Sequence, residues 1–163
     1  MARRAICDVI LPKRAKRRAL TLLKNRDYTV KQLRDKLKEG GYPQEIIEEA
    51  LDYVQGFRYT DDLRYAENFI HGHVQDRSRR RIENDLITRG IDRDTLERAW
   101  AGFEAEGGSQ DEQAMIRALL EKKGFDPEAA QPKERQRICG YLMRKGFSAE
   151  QVRRALRSEE PYD

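Results

Sequence analysis

Three stretches of this chain can be laid on one another without a gap, and this repeat restricts the possible folds more than any other sequence feature. They are Leu33–Leu51, Ile82–Trp100 and Ile138–Leu156. Each carries an aliphatic residue, Leu four places on, a glycine four later, an apolar residue directly after the glycine, and alanine nine after it. The glycines are Gly41, Gly90 and Gly146, spaced by 49 and then 56 residues. That period is too long for one helical hairpin and suits three short helices.

Each copy reads the same way physically. Leu33 and Leu37, Ile82 and Leu86, and Ile138 and Leu142 lie one turn apart on a helix face. The glycine that follows is expected as a left-handed C-terminal cap, with Tyr42, Ile91 or Phe147 folding back on the helix just ended. The next helix begins at Pro43, at Asp92 as N-cap, or at Ser148, which forms a capping box with Gln151. A further helix precedes each pair, over roughly Pro12–Arg26, Asp61–Gln75 and Ser109–Lys122. Thr29 with Gln32 and Ser109 with Glu112 have capping-box spacing. Phe125–Gln131 is an extra loop that lengthens the second period. Trp100 aligns with Leu51 and Leu156 and is expected in the core.

Composition agrees with small modules. Among 163 residues only 38% are hydrophobic, 38% are charged, and mean hydropathy is −0.92, which suits narrow apolar stripes better than one deep core. The expected fold is all-α: an N-terminal segment (1–12), then three-helix repeats at 13–58, 59–107 and 108–163. Cys7 and Cys139 have no metal-ligand or disulfide-framework spacing, and the start lacks a signal-peptide pattern. A cytoplasmic protein without a membrane span is expected.

Chemistry-bearing constellations are sparse. Asp61 and Asp62 are adjacent, so on a helix they diverge by about 100° and do not converge on one ligand. They suit the positive end of a helix instead. His71 and His73 stand two apart, unlike the four-residue spacing of a zinc-binding helix. No nucleophile–base set or phosphate loop occurs, so neither an enzyme nor a cofactor or metal site is expected. Tyr59 and Tyr65 could stack on bases, but packing in the core or at a hinge is the expected role of both.

The charge is +4 overall and unevenly placed. Arg77, Arg79, Arg80 and Arg81 stand where a helix begins, the end that disfavours cations. A phosphate or an acidic protein surface that neutralises them is therefore expected. Arg14, Lys16, Arg17 and Arg18, with Arg3, Arg4 and Lys13, make a second basic group that fits either binding or plain solvation.

Three motifs carry a resemblance. Gly56–Ile70 resembles the RecX family's pattern of tyrosine, paired aspartates, then arginine, an aromatic and alanine, here Tyr59, Asp61, Asp62, Arg64, Tyr65 and Ala66. Arg77–Ile91 is similar to the family's basic start of an Ile-x-x-x-Leu-x-x-x-Gly-Ile helix, and Ala19–Leu37 looks like its opening helices. Where the family often carries a Lys-x-Gly-Pro-like stretch, this chain has Ser78, Arg79 and Arg80. The resemblance runs from Lys13 to Leu156 and implies three tandem three-helix units in an elongated, curved array. It further implies a monomer that binds RecA filaments on single-stranded DNA and dampens recombination and RecA's ATPase. The alternatives are a helical DNA-binding protein acting without RecA and a purely structural scaffold. Glu45, Glu48 and Glu49 in a third helix suit a major-groove reader poorly.

Overall fold

The computed structural model describes residues 2–157, with side chains from residue 10 onward; Arg3, Arg4, Cys7 and Asp8 thus have side chains outside the described residues. Among the described residues there are helices and no strands: α1 (Ala2–Asn25), α2 (Val30–Glu39), α3 (Gln44–Gly56), α4 (Asp62–His73), α5 (Arg79–Thr88), α6 (Arg93–Ala105), α7 (Glu112–Lys122), α8 (Pro132–Arg144) and α9 (Ala149–Leu156). No helix among them is long and apolar enough to cross a membrane.

The repeated cap forms three times as its residues require. Gly41, Gly90 and Gly146 have φ of 77°, 93° and 98°. The N–H groups of Tyr42, Ile91 and Phe147 reach back to the carbonyls of Leu37, Leu86 and Leu142 at 3.4, 3.1 and 3.3 Å. Thr29 and Ser148 form the expected capping boxes with Gln32 and Gln151. Asp92 accepts from the Thr95 N–H at 2.8 Å, and that bond holds its carboxyl below the ordinary range.

Other boundaries moved. Helix α1 starts upstream of Pro12 and contains it. A proline suits a first turn but does not oblige a helix to start, at the loss of one hydrogen bond. Helix α7 is capped by Asp111, which accepts from Gln113 and Ala114 N–H, so the Ser109–Glu112 capping box does not form. Asp111 lies nearer the apolar run and caps as well as serine does. Helix α4 stops at His73 because the Gln110 side chain takes the carbonyls of Val74 and Arg77, at 3.1 and 2.7 Å.

The chain divides into two compact units, Met1–Asn68 with Leu86–Ala99, and Phe69–Asp85 with Trp100–Asp163. In the first, Ala15, Ala19, Leu22, Leu33, Leu37, Ile47, Leu51 and Val54 form the core. Full burial of each Leu or Ile there is worth about 1.5–3 kcal/mol. Arg34 grips Glu48 with two bonds of 2.9 and 3.1 Å, which raises the guanidinium's pKa and lowers the carboxyl's. In the second unit, Ile116, Leu119, Leu120, Phe125, Ile138, Leu142, Phe147 and Val152 pack together. Trp100 is buried, as its alignment predicts.

Each unit contains one junction between successive repeats, built on the same plan. The α2 cap Thr29 is fully buried, and its hydroxyl donates to the Arg89 carbonyl at 2.6 Å. Its α5 counterpart, Ser78, is also buried and donates its N–H to the Lys145 carbonyl at 3.1 Å. In both cases the glycine one residue after that carbonyl, Gly90 or Gly146, lies against the start of the other helix, with no room for a Cβ.

Candidate functional site

The start of α5 is the most charged part of the second unit. Ser78 accepts the Arg81 N–H at 3.2 Å while its own N–H is held by Lys145. The Lys145 ammonium pairs with Asp76 at 2.8 Å. These bonds bring the end of α8 beside the start of α5, and with it Arg144, a cation from the third repeat that no local pattern singles out.

The four arginines of α5 do not share one role. Arg79 is committed internally. Its guanidinium contacts Glu83 at 2.9 Å and Glu104 at 3.1 Å, and lies 4.5 Å from the Trp100 ring centroid. Its backbone N–H donates to Glu112. Arg77 and Arg81 share one carboxylate, Asp85, at 2.9 and 3.3 Å. Only Arg80 is exposed and without an ion pair among the described residues. The four arginines are thus unequal targets for the expected partner: Glu83 and Glu104 already engage Arg79, and the single carboxylate of Asp85 is divided between Arg77 and Arg81.

What remains is a groove with surplus positive charge. A cavity of about 510 Å³ is lined by Arg80, Arg81, Met143, Arg144, Phe147 and Ser148 among others. A second of about 250 Å³ is lined by Arg77, Arg81, Tyr141, Arg144 and Lys145. Both share Arg81 and Arg144, so they are successive hollows of one groove. Its cations are opposed by Asp85 and Asp76 alone among the ion pairs, and Arg144, like Arg80, makes none among the described residues. Anionic oxygens would find several guanidinium donors and a partly apolar floor there.

The other candidates fall in the first unit or nearby. Arg14, Arg17 and Arg18 are exposed on α1 and make no ion pair among the described residues, whereas Lys16 is tied to Glu49 at 2.7 Å. Asp61 accepts the N–H groups of Leu63 and Arg64 at 3.0 and 3.2 Å and so caps α4. Asp62 instead accepts the first N–H of α2, from Val30, at 2.9 Å. Half-burial raises its pKa, and the Val30 bond opposes that rise. The two carboxylates thus serve two helices. Ala66 is fully buried, Tyr65 half-buried and Arg64 exposed. Tyr59, expected in packing, is 50% exposed.

His71 faces Glu106 at 3.2 Å, and His73 stacks on Phe69 with centroids 4.1 Å apart, so the histidines have separate partners. No group of three His, Cys, Asp or Glu residues is arranged to hold a metal among the described residues.

The same three-part organisation appears in known proteins. Family models for the first, second and third three-helix domains of RecX match residues 15–53, 61–99 and 110–156. The regulatory protein RecX of Caldanaerobacter subterraneus is 36% identical over 117 residues, 71% of this chain and 58% of that protein. That of Vibrio vulnificus is 37% identical over 84 residues, 51% of this chain and 55% of that protein. The chain thus spans little more than half the length of these relatives. The crystal structure of RecX from Lactobacillus salivarius superposes with a TM-score of 0.65 at 20% identity, over 90% of this chain and 94% of that one. A crystal structure of a regulatory protein RecX gives 0.71 at 22% identity, over 93% and 75%. These likenesses show the fold, and the three domain matches in their order show the family. The chain therefore belongs to the RecX family of regulatory proteins.

Proposed function

We propose that this protein binds RecA filaments assembled on single-stranded DNA and restrains RecA's recombinase and ATPase activities, acting as a cytoplasmic monomer without catalysis of its own. The observation that carries the reading is the groove between α5 and α8, where Arg80 and Arg144 are left without internal partners beside the shared pair of Arg77 and Arg81. Such a groove suits an acidic protein surface or a phosphate backbone, and a filament on DNA offers both.

The structure also decides which variant tests the reading. Replacing Arg77 or Arg79 strips a half-buried carboxylate, Asp85 or Glu83, of its partner and perturbs the fold. Arg80→Ala with Arg144→Ala removes two exposed cations and leaves every internal ion pair in place. The expected result is weaker inhibition of RecA's DNA-dependent ATPase, by about tenfold in half-inhibitory concentration, for two charges worth about 0.7 kcal/mol each at an exposed interface. Undiminished inhibition by the folded double variant would refute the assignment. Retention of the wild-type protein on bare DNA but not on RecA filaments would favour a DNA-binding protein acting without RecA.

A further inference from the structure

One feature of the first unit plays no part in the groove. Tyr53, Phe57 and Tyr59 are 37%, 62% and 50% exposed and form a continuous aromatic patch at the end of α3. Ring centroids are 4.9 Å apart between Tyr53 and Phe57 and 6.0 Å between Phe57 and Tyr59. Large aromatics are normally covered, and a contiguous exposed set marks a surface that meets something.

The backbone that presents them is strained. Helix α3 ends in the same cap as the repeat glycines, with the Tyr59 N–H reaching the Val54 carbonyl at 2.8 Å. The left-handed position, however, is held by Arg58 with φ of 55°, the only such non-glycine residue among the described residues. Glycine would relieve this conformation, so the strain points to a use for the arginine side chain. Arg58 is exposed between Phe57 and Tyr59 and makes no ion pair among the described residues.

More cations adjoin the patch. The Lys16 ammonium sits 5.3 Å from the Tyr53 ring centroid and pairs with Glu49. Lys13, one turn before it on the same face of α1, is exposed without an ion pair among the described residues. Asp52, next to Tyr53, is the exposed carboxylate nearest in sequence. An apolar protein partner would be matched by aliphatic neighbours. Open aromatic faces interspersed with unneutralised cations instead match the alternation of bases and phosphates in a single strand.

We propose that Tyr53, Phe57 and Tyr59, with Arg58 and Lys13, form a stacking platform for single-stranded nucleic acid, separate from the α5–α8 groove. Bases stack on the rings, and the guanidinium and ammonium groups take the backbone phosphates. Sequence preference is absent, since every base has a face to stack.

The test uses the whole protein without RecA, so that its failure leaves the filament reading standing. Binding of a fluorescent oligothymidylate of about 15 nucleotides, near the upper end of a small single-strand site, is followed by anisotropy. Phe57→Ala and Tyr59→Ala are expected to weaken binding about tenfold each, while Tyr59→Phe, which keeps the ring, binds like the wild type. Arg58→Gly should lower the dependence of log affinity on log salt by about 0.7, one phosphate contact on a single strand, while raising the thermal midpoint. The duplex of the same length should compete poorly. The proposal is overturned if the wild type does not bind the oligonucleotide, if the alanine variants bind it unchanged, or if duplex competes as well as single strand. Alanine variants that keep the oligonucleotide but lose a protein partner would overturn it in favour of a protein-docking patch.

Discussion

Alanine at each of the three cap glycines separates the cost of the turn from the cost of the junction. Gly41 and Gly90 belong to the same compact unit, end equivalent helices, and have φ of 77° and 93°. A Cβ at Gly41 would meet nothing within 4 Å, so Gly41→Ala carries only the left-handed strain, about 1–2 kcal/mol. A Cβ at Gly90 would run into the stem of Lys31, whose Cδ would lie 2.5 Å away and whose own Cβ cannot swing clear. That adds an overpacking cost of about 1–3 kcal/mol, for a total of about 2–5 kcal/mol. At Gly146, in the other unit, the obstacles are the Ser78 hydroxyl, the Arg81 Cβ and the Arg81 Cα at 3.2 Å. The Arg81 Cα is backbone and yields less than a lysine stem, so Gly146→Ala should cost at least as much as Gly90→Ala. Urea unfolding followed by far-ultraviolet circular dichroism reports on the helices of both units. Trp100 fluorescence reports on the second, since the chain's single tryptophan lies there. Equal costs for the three variants, or Gly41→Ala as the most damaging, would mean that close approach between repeats contributes nothing.

Further predictions concern single side chains. Thr29→Val keeps the shape but loses the cap to Gln32 and the donor to the Arg89 carbonyl, and should cost about 2 kcal/mol in urea unfolding; a loss below about 0.5 kcal/mol would show that water replaces both bonds. Arg58→Gly should stabilise the chain by up to about 1 kcal/mol, the left-handed strain less glycine's entropy, and a lower thermal midpoint would contradict the strain assigned there. Burial makes the Asp62 carboxyl hold its proton more tightly in the folded chain, so its stabilising contribution is complete below the ordinary carboxylate range and is lost as pH rises through the raised value. Asp62→Asn, which keeps an acceptor for Val30 but does not titrate, should therefore gain on the wild type as pH rises from below the ordinary carboxylate range through the raised value, and a flat difference would refute the burial argument.

What could be read from the sequence is what adjacent residues decide among themselves. The glycine caps, the capping boxes at Thr29 and Ser148, the Asp92 cap and the apolar stripes all act within one or two turns, and each formed where its pattern stood. The boundaries that moved did so where a competing local group was as good, Asp111 against Ser109, or where a distant one intervened, Gln110 at the end of α4. The site was legible as a cluster of charge but not as a distribution of roles. Arg79 is neutralised by Glu104, 25 residues away, Asp62 caps a helix 32 residues before it, and Lys145 holds Asp76 across 69 residues. An arginine's charge is written in the chain, but whether that charge is left over depends on which carboxylate the fold brings within about 4 Å of it. For the same reason Tyr59 could be placed in a motif from its neighbours, while its half-exposed ring beside Phe57 and Arg58 follows only from the way α3 ends.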